Sequence, residues 1–121
     1  MKAERDADHI VKPKIRDYSR QVLICTGPRC TQNGEGEALF NALQAKFRAA
    51  GLGVDAGPAR VKRTRTGCVA ACQGGPIVAV QPDGVWYYNV TDENMDRIIE
   101  QHLKGGEVVE ELVFHRNGAG D

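Results

Sequence analysis

Four cysteines fall in two close pairs, and each pair follows a short strand-like run. Cys25 and Cys30, with four residues between them, follow "QVLI"; Cys68 and Cys72, with three between them, follow "ARVKRTRTG". Both pairs lie where a strand feeds a Gly-containing loop. A helix is expected between the two strands. If these strands are parallel neighbours joined through that helix, both loops leave the sheet at one end, and four thiols converge there.

The rest of the chain reads consistently with that layout. "QVLIC" is a buried strand, and "TGPRCTQNGEGE" carries the Gly and Pro of a loop. "ALFNALQAKFRAAG" puts Leu39, Ala42, Leu43 and Phe47 on one helical face, with Gly51 at its C-terminal end. "ARVKRT" alternates around Val61 and reads as an exposed or edge strand. "PIVAV" and "VWYYNV" flank "QPDG" and read as a hairpin. Val85 and Tyr87 are expected on one face of it, and Trp86, Tyr88 and Val90 on the other. Thr91 is an N-cap, and Met95, Ile98, Ile99, His102 and Leu103 form the apolar stripe of a second helix that Gly105-Gly106 stops. "EVVEELVF" is a last strand or a packed tail. The expected fold is α/β, a small mixed β-sheet with helices on its faces. The expected organisation is an N-terminal arm over 1–20, one domain over 21–114 and a C-terminal tail over 115–121.

Composition narrows the function. The chain has 121 residues, 41 % apolar and 26 % charged, which suits one soluble domain. Lys plus Arg and Asp plus Glu number 16 each, so net charge gives no sign of a nucleic-acid or membrane partner. The start, "MKAERDADHIVKPKIRDYSR", lacks the apolar centre of a secretory signal, so a cytoplasmic location is expected. In that compartment cysteines serve more often as metal ligands or redox groups than as structural disulfides.

Four converging thiolates suit a zinc ion or an iron–sulfur cluster. Neither pair has the C-x2-C spacing of a zinc knuckle or of a thioredoxin-type redox motif. The wider gaps favour a loop wrapping two irons and two bridging sulfides. A structural zinc module and a thiol–disulfide protein using Cys68 and Cys72 stay open as alternatives. Gly27, Gly34, Gly67, Gly74 and Gly75 allow close backbone approach to sulfur. The N–H groups of these residues and of Thr26, Arg29, Val69 and Ala70 are candidate donors to it. Arg60, Lys62, Arg63 and Arg65 lead into Cys68 and read either as charge compensation or partner rim, or as a basic edge strand that resists aggregation.

"VLICTGPRCTQNGEGEALFNAL", "VKRTRTGCVAACQGGPIVAVQPDGVWYYNVT" and "IIEQHLKGGEVV" together resemble the thioredoxin-like [2Fe–2S] ferredoxins, the Shethna-type group related to the small iron–sulfur subunit of NADH dehydrogenase. The resemblance runs from about Gln21 to Val109. Its most specific part is G-C-x3-C-x2-G-P-x-V-x-V-x-P-x-G-x-W-Y, from Gly67 to Tyr87. It implies a thioredoxin-like fold, a [2Fe–2S] cluster on Cys25, Cys30, Cys68 and Cys72, and one-electron transfer to redox partner proteins rather than catalysis. It also implies a homodimer, with an interface role for the "VVEELVF" tail. The chain departs from the dehydrogenase subunit in having only 20 residues before the first strand.

Other chemistries find no support. His9, His102 and His115 are scattered, so no Rieske-type His/Cys pairing is present, and His102 reads as a packed residue. "GPRCTQNGEGE" lacks the G-K-[ST] ending of a phosphate loop. No Ser–His–Asp set or carboxylate pair stands out.

Overall fold

The computed structural model describes residues 10–27, 33–67 and 73–117. Five strands form one sheet: β1 (Arg20–Cys25), β2 (Val61–Thr66), β3 (Val78–Gln81), β4 (Val85–Tyr87) and β5 (Val113–Arg116), in the order β2-β1-β3-β4-β5. β1 and β2 are parallel, from Arg20 opposite Val61 to Cys25 opposite Thr66. The other pairings are antiparallel. The sheet is therefore mixed, and α1 (Glu35–Ala49) makes the crossover between the parallel strands.

The pattern of α1 accounts for its placement. Leu39, Leu43 and Phe47 recur at helical spacing and are all buried. Glu35 and Glu37 stand in the first turn and Lys46 and Arg48 in the last, each opposite in sign to the helix end it occupies. Gly51, at φ 77°, ends the helix in the left-handed conformation that glycine adopts without strain. The second helix, α2 (Asp92–Ile98), starts at Thr91, whose Oγ1 accepts a hydrogen bond from Asn94 N–H at 3.2 Å. It continues as a wider π-helical segment, Ile99–Lys104, and the whole expected stripe from Met95 to Leu103 is buried.

Both helices pack on the same face of the sheet. Their apolar stripes join Val22, Ile24, Val61, Val78, Val80, Val85 and Tyr87 in a single core. Lys46 Nζ ties α1 to α2 through Asp96 at 2.7 Å and Asp92 at 3.2 Å. The small mixed sheet with helices packed on it is as expected; the face away from this core carries Gln21, Leu23, Thr64, Ala79 and Trp86.

The hairpin is where expected, but Val90 is not. Gly84, at φ 71°, closes the turn by donating its N–H to Val80 O at 2.9 Å. Val85 and Tyr87 face the core. The strand then stops, and Asn89 takes φ 50° and donates its N–H to Gly74 O. That turn brings Val90 into the core, fully buried, rather than onto the face of Trp86. The tail resolves into a 3-10 turn, Glu110–Leu112, followed by β5. Val109 and Leu112 are core residues, so most of the apolar content of the tail fills the interior. No described helix is long and apolar enough to cross a membrane.

Candidate metal centre

The C-terminal ends of β1 and β2 and the N-terminal end of β3 lie side by side. Cys25 sits opposite Thr66, and its N–H donates to Ile77 O at 3.1 Å. Thr26 donates from both N–H and Oγ1 to Thr66 O, at 2.8 and 3.1 Å. The two cysteine-bearing loops therefore leave the sheet at one end, as the parallel pairing requires. Cys25 is a free thiol at 0 % exposure, the innermost anchor of this end.

The two loops are held backbone to backbone. A β-carbon placed on Gly27 would lie 2.0 Å from Gly67 O and 3.7 Å from Cys25 Sγ. Only glycine allows this approach. Gly27 follows Cys25 by two residues and Gly67 precedes Cys68 by one in the sequence, so this contact fixes the two chain segments next to the first and third cysteines.

Cys30, Cys68 and Cys72 lie outside the described residues, as do the candidate donors Arg29, Val69 and Ala70. Of the expected sulfur donors within them, Thr26 N–H is directed at Thr66 O instead, because the parallel ladder continues one residue past Cys25. Among the described residues no group of three or more His, Cys, Asp or Glu side chains forms another metal site.

The basic stretch divides between several duties. Arg63 lies over the Phe40 ring, 4.1 Å from its centroid, and donates to Phe40 O at 3.0 Å. Arg65 lies over the same ring and pairs with Glu37 at 3.0 Å. Lys62 stands over Tyr18, and Arg60 donates to the carbonyls of Asp17 and Arg16. The stacking on Phe40 has no signature in the sequence, because α1 and β2 meet only in the fold.

On the core face a polar chain that the sequence did not disclose runs from buried Tyr87 and His102 out to Asp83 and Arg20 at the hairpin end of the sheet. Val109 N–H donates to Tyr87 Oη at 3.1 Å, Tyr87 Oη lies 2.7 Å from His102 Nδ1, and His102 Nε2 lies 2.7 Å from Asp83 Oδ2. Arg20 Nε completes it at 3.0 Å from the same carboxylate. Every polar atom is satisfied if Tyr87 donates to Nδ1 and Nε2–H donates to Asp83. Burial pushes the Asp83 carboxyl up, but the bonds and charges of His102 and Arg20 outweigh it and hold the group below the usual aspartate value. Burial pushes the Tyr87 hydroxyl above the usual tyrosine value. His102 is thus packed, as expected, at 0 % exposure; an imidazole on an apolar helical stripe was the one signal that a buried partner had to exist.

The arrangement at the cysteine end fits an iron–sulfur group. The first thiol is buried, and glycine at Gly27 leaves the space beside its sulfur open to backbone alone.

Comparison with known proteins agrees. Residues 14–103 match the model of the family "Thioredoxin-like [2Fe-2S] ferredoxin". The chain is 38 % identical over 100 residues to a 2Fe-2S ferredoxin of Aquifex aeolicus, covering 80 % of this chain and 90 % of that one. It is also 38 % identical over 107 residues to a putative 2Fe-2S ferredoxin of Priestia megaterium, covering 88 % and 79 %. A segment of 47 residues is 53 % identical to a 2Fe-2S ferredoxin of Clostridium pasteurianum, covering 39 % and 46 %. Among solved structures, the thioredoxin-like [2Fe–2S] ferredoxin of Aquifex aeolicus superposes with a TM-score of 0.69 at 37 % identity, covering 84 % of this chain and 94 % of that one.

Fold and site together define a small iron–sulfur electron carrier on a thioredoxin-like scaffold. The chain belongs to the thioredoxin-like [2Fe–2S] ferredoxins, and its cofactor is a [2Fe–2S] cluster.

Proposed function

We propose that Cys25, Cys30, Cys68 and Cys72 hold the cluster, two thiolates to each iron, and that the protein carries electrons without catalysing a reaction of its own. The observation that carries this reading is the parallel pairing of β1 and β2, which sends both cysteine loops from one end of the sheet, with Gly27 seated on Gly67. A bound [2Fe–2S] cluster supplies a one-electron couple. The chain's part is to bury Cys25, fix the spacing of the loops and limit water at the sulfur. The ordered domain of this reading runs over 21–114, between an arm and a tail.

The partners are a reductase or an electron-accepting protein in the cytoplasm, and the carrier is a homodimer. The sheet face away from the helices supports the second copy. Leu23 and Trp86 stand on it half-buried, and Trp86 Nε1 is buried without a hydrogen-bond partner among the described residues. Light scattering of the purified protein checks the dimer, and a mass of one chain rules it out.

The test of the ligand set is iron, sulfide and zinc analysis with visible spectra before and after dithionite, on the wild type and on Cys68→Ser and Cys72→Ser. About two irons and two sulfides per chain, a brown colour that bleaches, and impaired assembly in both variants support it. Normal absorption and redox behaviour in both variants would sink the assignment, and a colourless protein with about one zinc after anaerobic reconstitution would replace it with a structural zinc module.

A further inference from the structure

We propose that the open edge of β2, with the groove between it and the C-terminal half of α1, is a docking surface that takes an acidic, extended segment of a partner protein as an added strand. Among the described residues β2 ends the sheet and pairs on one side only. Thr66 O accepts from Thr26 N–H on the β1 side, and Val61 N–H donates to Leu52 O on the other. Strand alternation therefore turns the N–H and C=O of Arg63 and Arg65 away from β1, at the spacing of a further ladder.

The walls of that edge are cationic. A groove of about 240 Å³ is lined by Arg48, Arg60, Lys62 and Arg63 together with Phe47 and Val54. Among the described residues none of these four cations pairs with a carboxylate. Val54 is 64 % exposed, so the groove also offers an apolar foothold. With a net charge of zero over the whole chain, such a cluster is a local field that selects acidic partners. A charged edge also resists self-association, but that role needs neither a groove nor an exposed apolar floor. A peptide matches the free backbone groups as well as the charge; a nucleic-acid strand matches the charge alone. An added strand would run along β2 toward Cys68.

This surface is argued from β2 and α1 and stands apart from the ligand assignment. The test reads binding rather than electron transfer, so its failure leaves that assignment untouched. Cluster-loaded protein is titrated into a fluorescein-labelled peptide of alternating Glu and Val, and anisotropy is followed. The controls are a Lys–Val peptide, a proline-interrupted acidic peptide of equal charge and a single-stranded oligothymidine. Hydrogen exchange is measured with and without the first peptide. The acidic strand peptide is expected to bind best and to slow exchange at the amides of Arg63 and Arg65. The double variant Arg48→Glu, Lys62→Glu, both at solvent-accessible positions, is expected to weaken it roughly tenfold or more. The proposal is overturned by equal binding of the proline-interrupted peptide or the oligonucleotide, by no binding of any peptide, by unchanged exchange at the two amides, or by an unaffected double variant.

Discussion

At the scale of single residues, the cysteine end of the sheet and the core beneath it depend on different kinds of constraint. At the cysteine end the constraint is steric. A methyl group on Gly27 would overlap the carbonyl of Gly67, and backbone on both sides leaves no flexible side chain to yield. Gly27→Ala is expected to cost roughly 1–3 kcal/mol, as overpacking does, and to lower the iron bound per chain by spreading the loops. Metal analysis and thermal unfolding side by side check this, and full iron loading at unchanged stability would show that the loops tolerate separation. Inside the core, between β4 and the second helix, the constraint is hydrogen bonding. Tyr87→Phe leaves Val109 N–H and His102 Nδ1 without their partner, and each buried unsatisfied group costs about 1–3 kcal/mol. The same variant changes the pH profile. Burial raises the Tyr87 pKa in the folded state, so the unfolded chain releases that proton first. The contribution is complete below the ordinary tyrosine pKa of about 10 and is lost as pH rises through the higher folded value. Urea unfolding followed from neutral to alkaline pH is expected to show a flatter alkaline limb in Tyr87→Phe than in the wild type.

At the scale of elements, the sequence was most informative where one local rule decides. The stripe of α1, the Pro-Asp-Gly turn and the Thr91 cap each follow from residues within one turn of the chain, and each stands where its pattern put it. The misplaced elements involve contacts distant in sequence. Val90 turns inward because Asn89 and Tyr88 bond to Gly74 and Leu112. The tail splits between core and edge strand because β4 offers β5 a free side. Arg63 and Arg65 settle on Phe40, 23 and 25 positions away in the sequence, which no periodicity reports. The cysteine end was legible for a related reason: a parallel pair around one helix has its two loops at the same end whatever the packing details. The cap gives the prediction at this scale. Thr91→Ala removes the acceptor for Asn94 N–H and is expected to cost about 1 kcal/mol. Urea unfolding at neutral pH measures it, while Thr91→Ser is expected to stay close to the wild type. Equal loss in both variants would move the effect from the cap to the threonine methyl group.

At the scale of the whole molecule, the question is how far the fold depends on its cofactor. The described core is built from both helices and all five strands' neighbourhoods, with Val22, Leu43, Tyr87, Met95 and Leu103 among its fully or nearly fully buried members, and none of the described residues of the loops 26–34 and 67–76 belongs to it. The helices and the sheet face they cover therefore bury their apolar side chains against one another. On the proposed ligand set, ligation would add a cross-link between the end of β1 and the end of β2, and binding to the folded form alone would stabilise it further. This differs from a zinc finger, where the metal replaces a core that the chain is too short to build. Removing iron with a chelator under reducing conditions is expected to leave the far-ultraviolet circular dichroism nearly intact and to lower the unfolding temperature by several degrees, since about 1 kcal/mol moves Tm by roughly 4–8 °C in a domain of this size. Hydrogen exchange is expected to rise first in the segments next to the loops, at Thr26 and Thr66, and last at Val22 and Val80 in the centre of the sheet. Collapse of the dichroism together with uniform loss of protection would mean that the core cannot stand alone and that the cluster is part of the folding nucleus.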